Sequence, residues 1–232
     1  MNDTVVIVTG AAPLDAGAVA AIPSDAIVIA ADGGLDHARA AGLTPAGLIG
    51  DLDSVSEEGL TWAVQHATIQ RHPIDKDATD TELAVAFAAA MNPSRVIMVA
   101  GGGDRLDHTL AAIGALGAVV LTSVPLVECW WGGQYLRVVH GPARVSIRTV
   151  TSAGNVPEPE TRISLLAMHG PCTGVTMSGT RWQLERAELL PLVGHGLSNV
   201  AIEPDVDLTI STGILTVFVD PPPASTTRTW DA

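Results

Sequence analysis

The chain has 232 residues, a formal net charge of −13 and 47% hydrophobic residues. This length allows one large domain or two small ones, and it can bury a substantial core without disulfides. One lysine and eleven scattered arginines do not provide the dense positive surface that nucleic-acid binding needs. Cys129 and Cys172 are expected to be free thiols in a cytoplasmic protein. We find no signal-peptide pattern and no apolar run long enough for a bilayer, so we expect no membrane association.

The first part of the chain alternates short, continuous apolar segments with alanine-rich amphipathic segments. Strands are predicted over 5–8, 26–31, 48–49, 68–70, 96–100 and 125–128, and helices near 14–21, 35–41, 56–66, 80–91 and 106–117. Continuous apolar strands are typical of buried parallel sheets. The strand–helix alternation therefore predicts a doubly wound parallel α/β sheet over residues 1–130. Residues 54–57 and 79–82 both fit the capping-box pattern of a helix start.

The pattern changes near residue 130, where helical periodicity gives way to short alternating segments. These segments are 135–139, 144–149, 162–167, 174–178, 200–202, 206–210 and 214–219. Gly, Pro, Ser and Asn separate them, which predicts an antiparallel β-sandwich or small barrel over residues 131–220. Residues 221–232 are rich in Pro, Ser and Thr, and we expect them to form a flexible tail.

Aspartates are concentrated in the first half, with nine of the sixteen between Asp32 and Asp107. Eight of these nine fall into four clusters, each at or soon after the carboxyl end of a predicted strand. Ligands of open α/β sheets bind at this edge. The clusters are Asp32-Gly33-Gly34, Gly50-Asp51-Leu52-Asp53-Ser54, Asp75-Lys76-Asp77-Ala78-Thr79-Asp80 and Gly101-Gly102-Gly103-Asp104-Arg105-Leu106-Asp107-His108.

The residue types of these clusters predict a site for a magnesium-bound nucleotide. Carboxylates that converge repel one another unless a cation neutralises them, and hard oxygen ligands suit Mg²⁺ shared with phosphates. Glycines and helix amino termini expose backbone amides to anionic oxygens. Lys76 and Arg105 could neutralise charge that develops during phosphoryl transfer. Each cluster alone could be an ordinary turn, whereas four of them at one edge of the sheet indicate a ligand site.

Taken in order, these motifs resemble those of the thiamine pyrophosphokinase family. The second half is similar to the same family in Gly179-Thr180-Arg181-Trp182-Gln183-Leu184 and in the Gly-x-Ser-Asn turn at Gly196-Leu197-Ser198-Asn199. Two positions depart from the family pattern, namely Asp104, where glycine is common, and Ala112, where asparagine is common. The resemblance implies a Rossmann-like catalytic domain followed by a small β-sandwich domain. It also implies a homodimer with thiamine bound between subunits.

The resemblance further implies a reaction and a set of site residues. The reaction moves a diphosphoryl group from ATP to the thiamine hydroxyl, releases AMP and requires Mg²⁺. The candidates to hold Mg²⁺, directly or through water, are Asp51, Asp53, Asp77 and Asp80, and one of them could instead accept the hydroxyl proton. These four and Arg105 are the catalytic candidates. The nucleotide-binding candidates are Asp32, Gly33, Gly34, Ser54, Lys76, Thr79, Gly103, Arg105, Asp107 and His108.

The candidates for thiamine binding are Trp182, Gly196, Ser198 and Asn199. An indole can stack on the thiazolium or the aminopyrimidine, and Ser198 and Asn199 carry suitable hydrogen-bonding groups. The ordinary alternatives are a core tryptophan and a simple turn. The other four tryptophans, Trp62, Trp130, Trp131 and Trp230, have no predicted functional role.

Two rival functions are open at this level. One is a diphosphokinase for another hydroxymethyl substrate such as a pterin, which would not be expected to carry the Trp182 and Gly-x-Ser-Asn segments. The other is a non-catalytic protein that senses thiamine or a nucleotide. The intact aspartate clusters argue against the second rival, because binding alone does not need so many carboxylates facing a polyanion.

Overall fold

The computed structural model describes residues 4–10, 12–102, 105–150, 157 and 159–229. The chain divides into two compact units, residues 1–133 and 134–232. No helix in the described part of the chain is both long enough and apolar enough to cross a membrane.

The first unit contains parallel strands with helices between them. Its strands are β1 (Thr4–Thr9), β2 (Ile27–Ala31), β3 (Gly47–Gly50), β4 (Thr68–Arg71), β5 (Arg95–Ala100) and β6 (Leu126–Trp131). Its helices are α1 (Ala16–Ala20), α2 (Gly34–Ala40), α3 (Glu57–His66), α4 (Asp80–Ala90) and α5 (Leu106–Ala115), and Val119–Leu121 forms a 3₁₀ turn. Each neighbouring pair in the order β6-β5-β1-β2-β3-β4 is parallel. The predicted parallel α/β sheet is therefore confirmed.

The centre of this sheet is buried because its strands are unbroken apolar runs. Residues 5–8 of β1 and 96–100 of β5 have no exposed surface. A strand covered on both faces needs apolar side chains at consecutive positions, whereas a strand with one wet face alternates. The sequence pattern predicted both strands on this ground.

The strand order reverses at β1, and this reversal positions the site. Strands β2, β3 and β4 lie on one side of β1, while β5 and β6 lie on the other. Helix α4, which precedes β5 in the chain, packs across β1, β2 and β3. In open α/β sheets, the crevice outside the carboxyl ends of the strands at such a reversal is the usual ligand site.

The two predicted capping boxes have different outcomes. Thr79 caps α4, and its side chain and that of Glu82 satisfy each other's backbone amides, so this capping box is confirmed. The cap of α3 is Ser56, whose hydroxyl accepts a hydrogen bond from the amide of Gly59. Ser54 lies outside the helix, and its hydroxyl is engaged with Asp32 instead.

The second unit consists of antiparallel strands. They are β7 (Gln134–His140), β8 (Ala143–Arg148), β9 (Arg162–Leu166), β10 (Cys172–Ser178), β11 (Leu184–Leu189), β12 (Gly196–Val200), β13 (Asp205–Ile210), β14 (Ile214–Asp220) and β15 (Ser225–Thr229). One set has the order β12-β9-β14-β7 and the other β11-β10-β13-β8-β15. Along β8 and β13, buried residues alternate with more exposed ones, as expected for sheets with one covered face.

The segment expected to be a flexible tail contains a strand. Ser225–Thr229 forms β15 and pairs antiparallel with β8 from Ser225 opposite Arg148 to Thr229 opposite Arg144. Composition alone did not predict this pairing. The β-branched threonines of this segment favour an extended backbone, and β8 offers an edge at which that backbone forms hydrogen bonds.

Candidate active site

Three aspartates from separate parts of the first unit converge at the edge formed by the carboxyl ends of the parallel strands. Asp32 follows β2, Asp51 follows β3 and Asp80 is the first residue of α4. One carboxylate oxygen of each lies within 4.8 Å of those of the other two. All three residues are only partly exposed, so water screens their mutual repulsion weakly. The group concentrates negative charge and requires positive charge nearby.

Gly50 leaves the space in which two of these carboxylates meet. Its φ is +147°, a conformation that glycine adopts readily and other residues rarely do. A Cβ on Gly50 would lie 3.0 Å from Oδ1 of Asp80 and 3.1 Å from Cβ of Asp32. Any side chain at the end of β3 would therefore push the carboxylates apart.

Asp32 has an uncommon backbone conformation and is held by Ser54. Its φ is +47°, in the left-handed region. The Ser54 hydroxyl donates a hydrogen bond to Oδ2 of Asp32 and accepts one of 3.0 Å from the amide of Gly33. Oδ1 of Asp32 is buried without a hydrogen-bond partner among the described residues. Burial, partly offset by the bond from Ser54, raises the pKa of Asp32, and neighbouring carboxylates raise it further.

Lys76 places its ammonium group against two of the three carboxylates. Its Nζ lies 2.9 Å from Oδ2 of Asp51 and 3.1 Å from Oδ1 of Asp80, and 14% of its side chain is exposed. The hydrogen bond from Lys76 lowers the pKa of Asp51, and the same bond raises the pKa of Lys76. Both shifts favour the charged form of each partner. Lys76 and Asp51 are therefore an ionised pair at neutral pH.

The donor atoms of this group fit a hard divalent cation such as Mg²⁺. Mg²⁺ is usually held by one or two carboxylates together with waters and substrate phosphates. The group is made of carboxylate oxygens from Asp32, Asp51 and Asp80, with no nitrogen or sulfur ligand. Its buried Oδ1 of Asp32 has no hydrogen-bond partner among the described residues. These residues suit the predicted metal, and they add Asp32 to the predicted ligands Asp51 and Asp80.

A cavity of about 880 Å³ lies against the three carboxylates. Its volume is within the range of small-molecule and cofactor sites. Most of the predicted nucleotide- and metal-binding residues line it, namely Asp32, Gly33, Asp51, Asp53, Ser54, Lys76, Thr79, Asp80, Arg105 and His108. Gly103 lies outside the described residues.

Three predicted site residues are not part of the described lining of this cavity. Asp77 is exposed, and exposed Asp107 forms an ion pair of 2.6 Å with Arg105, which lowers the pKa of Asp107. Gly34 is buried, and a Cβ there would lie 2.3 Å from the carbonyl oxygen of Val8. Close packing of α2 on β1 thus accounts for Gly34 without a ligand.

The sequence did not predict two neutral residues of the lining, Thr9 and Trp131. Thr9 ends β1, and its hydroxyl lies 2.9 Å from that of Thr81 on α4. Trp131 ends β6 and pairs with Ala100 at the end of β5. Neither residue is charged, so the clustering of charged residues does not indicate them. Their positions at the carboxyl ends of strands are the sequence feature that could have predicted them.

In the second unit, Trp182 is exposed. The relative exposure of Trp182 is 58%, so the alternative of a core tryptophan is wrong. The guanidinium carbon of Arg181 lies 5.4 Å from the centroid of the indole ring, a distance at which cation and ring attract each other. An exposed indole with a defined neighbour is available for stacking.

Asn199 is 5% exposed and connects the backbone at Trp182 to its own strand. Its carboxamide oxygen accepts hydrogen bonds from the amides of Trp182, at 3.1 Å, and Val200, at 2.9 Å. Its amide nitrogen donates to the Trp182 carbonyl and to the Thr180 hydroxyl. These bonds use the hydrogen-bonding capacity of the carboxamide within the protein. The carboxamide of Asn199 thus positions the backbone at Trp182, and contact between Asn199 and thiamine stays a prediction.

The other two predicted thiamine-binding residues differ from each other in exposure. Ser198 is exposed, has a φ of +56° and donates its amide hydrogen to the hydroxyl of Ser164 at 2.9 Å. Gly196 is buried in β12, where a Cβ would lie 2.7 Å from Cβ of Leu165. Strand packing against β9 accounts for Gly196, while Ser198 retains an exposed side chain.

Fold and site together define the first unit as an α/β domain with an acidic ligand site at the carboxyl ends of parallel strands. Two family models match the sequence, the thiamin pyrophosphokinase catalytic domain over residues 20–127 and the thiamin pyrophosphokinase vitamin B1 binding domain over residues 152–215. Together these matches span most of the chain. The chain belongs to the thiamin pyrophosphokinase family, as the sequence motifs predicted.

Several solved structures have a similar fold. The chain is similar to thiamine pyrophosphokinase from Bacillus subtilis, with 21% identity, a TM-score of 0.78, and coverage of 93% of this chain and 98% of that one. It is also similar to thiamin pyrophosphokinase from Candida albicans, with 14% identity, a TM-score of 0.73, and coverage of 94% of this chain and 88% of that one. A third similar structure is yeast thiamin pyrophosphokinase, with 14% identity, a TM-score of 0.67, and coverage of 94% of this chain and 86% of that one. A comparison with curated protein sequences gave no match.

Proposed function

We propose that the protein is a thiamine pyrophosphokinase that makes thiamine diphosphate and AMP from thiamine and ATP in the presence of Mg²⁺. The observation that carries this proposal is the convergence of Asp32, Asp51 and Asp80 beside Lys76 in one cavity. The family membership supplies the substrates. A Rossmann-like catalytic unit, a sandwich-like second unit, a homodimer and a cytoplasmic location belong to the same proposal.

In this proposal the cavity of the first unit binds ATP through its polyphosphate. Bound Mg²⁺ would be held by Asp51, Asp80 and Asp32, with Asp53 at the same lining, and would neutralise charge on the phosphates. Lys76 and Arg105 add positive charge that a polyphosphate requires. Thr9 ends β1 in the same lining, and its hydroxyl adds a neutral hydrogen-bonding group there.

The reaction is a displacement at the β-phosphorus of ATP. The hydroxyl oxygen of thiamine forms a bond to that phosphorus, the bond from it to the oxygen bridging to the α-phosphorus breaks, and AMP leaves. The hydroxyl proton passes to a carboxylate of the site.

Thiamine recognition in this proposal depends on Trp182 of the second unit, with Ser198 as a polar contact. Stacking on an exposed indole suits a flat, cationic ligand, with an attraction of roughly 0.5–2 kcal/mol. Asn199 holds the backbone of Trp182 in place. The thiamine site is proposed to lie between subunits of the homodimer.

The decisive experiment identifies the products formed from thiamine, ATP and Mg²⁺, by ³¹P NMR and chromatography, with an EDTA-treated control. Thiamine diphosphate and AMP in equal amounts support the proposal. ADP with thiamine monophosphate would reject the diphosphoryl transfer. Turnover of a pterin alcohol without turnover of thiamine favours the other diphosphokinase, and binding without turnover favours a sensor.

A further inference from the structure

The chain's only lysine occupies a position that a bound metal ion would contest. Lys76 contacts Oδ2 of Asp51 at 2.9 Å and Oδ1 of Asp80 at 3.1 Å. These two residues and Asp32 are the group whose oxygens fit a divalent cation. A metal ion bound by these carboxylates would occupy the same oxygen lone pairs that the ammonium group contacts. One ammonium and one divalent cation therefore compete for two carboxylates.

We propose that Lys76 acts as an exchangeable internal counter-ion, which Mg²⁺ displaces from Asp51 and Asp80 and which then contacts the polyphosphate. The proposal rests on the proposed function and deepens it, since it assigns Lys76 two successive partners at one site. It gives the lysine a positioning role that depends on the metal ion.

The electrostatics of the group support an exchange. Three carboxylates within 4.8 Å repel one another strongly in a poorly screened site. The ammonium of Lys76 offsets part of this repulsion, and in return its hydrogen bond to Asp51 and its ion pair with Asp80 raise its pKa. A divalent cation brings twice the charge of the lysine, so it satisfies the carboxylates more completely and leaves the ammonium without a full partner.

The local structure allows the lysine to move while the carboxylates stay. Asp80 is fixed at the start of α4, behind the capping box of Thr79 and Glu82. Lys76 lies four residues earlier, in the connection between β4 and α4. Its four-carbon stem carries a point charge with freely rotating donors, which can change partners without a change of backbone. Both Lys76 and Arg105 line the same cavity, so the released ammonium remains beside the phosphates.

A matched variant separates direct competition from a general effect of charge. Lys76→Met keeps the length of the stem and removes the ammonium. Arg105→Met also removes one positive charge from the lining, but the ion pair described for Arg105 is with Asp107. If competition is direct, the lysine variant gains affinity for Mg²⁺ and the arginine variant does not.

The first test is calorimetric titration of the full-length protein and both variants with MgCl₂ in the absence of nucleotide. We expect Lys76→Met to bind Mg²⁺ roughly tenfold more tightly than the unsubstituted protein, the effect of losing ion pairs worth slightly over 1 kcal/mol in total. Arg105→Met should change the affinity by less than about twofold, as for a more distant, screened charge. Equal affinities of the two variants, or no binding to any of the three proteins, would overturn the proposal.

The second test uses the unsubstituted protein and so does not depend on a variant folding. Because Lys76 is the only lysine, a ¹³C-lysine label gives one ε-methylene signal to follow by NMR. We expect this signal to shift when Mg²⁺ is added alone, and to shift again when a non-hydrolysable ATP analogue follows. If the chemical shift of this signal does not change at saturating Mg²⁺, the proposed exchange is wrong. Product formation from thiamine and ATP is measured separately, so the proposed function can stand or fail independently.

Discussion

A Cβ atom on Gly50 would lie 3.0 Å from Oδ1 of Asp80. The bare backbone at the end of β3 is thus part of the acidic site, although it carries no functional group. Five predictions separate the roles of this and other residues.

Gly50→Ala should disrupt the site. The new methyl group would meet Asp80 and Asp32, and alanine disfavours a φ of +147°. We expect turnover to fall by at least about tenfold, as for a displacement of catalytic groups by less than 1 Å, and stability to fall by about 1–2 kcal/mol. Steady-state kinetics and thermal unfolding measure both effects.

The matched control for Gly50 is Gly114→Ala in α5, where no atom of the described residues, apart from the backbone of the helix itself, lies within 4 Å of the added Cβ. Alanine is favoured over glycine inside a helix by about 0.5–1 kcal/mol, so this variant should be slightly more stable and equally active. Comparable losses in both variants would mean that the effect at position 50 is not specific to the site.

Asp80→Asn and Asp77→Asn should differ, although the sequence gives both the same role. Asp80 belongs to the carboxylate group, whereas Asp77 is exposed and absent from the described lining. We expect Asp80→Asn to lower kcat by at least ~10²-fold, the scale of losing a stabiliser of transition-state charge, and Asp77→Asn to lower it by less than about threefold. A large loss at Asp77 would restore it to the metal site.

Trp131→Ala and Trp182→Ala should affect different substrates. Trp131 lines the cavity proposed for ATP, and Trp182 is an exposed indole of the second unit. Loss of one stacking contact of about 1–3 kcal/mol should raise the KM for ATP roughly 5- to 100-fold in the first variant. The second variant should raise the KM for thiamine instead. The reverse pattern would exchange the two assignments.

Asn199→Ala should damage both stability and thiamine recognition. Removing the carboxamide leaves the amide and carbonyl of Trp182 without these partners in a partly buried site. We expect a loss of about 1–3 kcal/mol in the free energy of unfolding and a raised KM for thiamine. Ser198→Ala, at an exposed position, should change stability by less than about 0.5 kcal/mol, and it tests the direct polar contact.

Asp32→Asn should lower activity and raise stability, and the gain in stability should depend on pH. The pKa of Asp32 is raised, so the fold disfavours its ionised form, and the resulting loss of stability develops as pH rises from the unfolded pKa through the folded pKa. Without divalent cations the variant should therefore unfold at a higher temperature at pH 7 and show a smaller gain near pH 4. Its kcat should fall by at least ~10²-fold. An equal gain at both pH values would exclude the carboxylate as the cause.

The sequence predicted the parallel strands and the location of the site, because continuous apolar runs and charged residues at their ends are local patterns. Asp51 and Asp80 follow from those patterns. The place of Asp32 in the metal-binding group does not, since it requires β2 and β3 to be neighbours and α4 to cross them. Asp77 illustrates the same limit, because it lies in the loop before α4 and Asp80 begins that helix, so the two residues have different surroundings.

The sequence patterns also did not predict the burial of individual polar residues and glycines. Asn199 carries the groups of a ligand-binding residue, yet its burial directs them to the backbone. Gly34 and Gly196 sit in motifs shared with the family, yet each lies against the backbone of a neighbouring strand. Ser225–Thr229 has a tail-like composition but pairs with the edge of β8. Each of these outcomes depends on a distant partner.

The hydrogen bonds from Asn199 join residues seventeen positions apart in sequence. The segment that carries Trp182 is consequently ordered when the protein folds, and its conformational entropy is lost at that stage. A flat ligand that arrives at the exposed indole gives up mainly its own freedom of motion. The surface that binds the ligand is therefore immobilised when the protein folds, before the ligand binds.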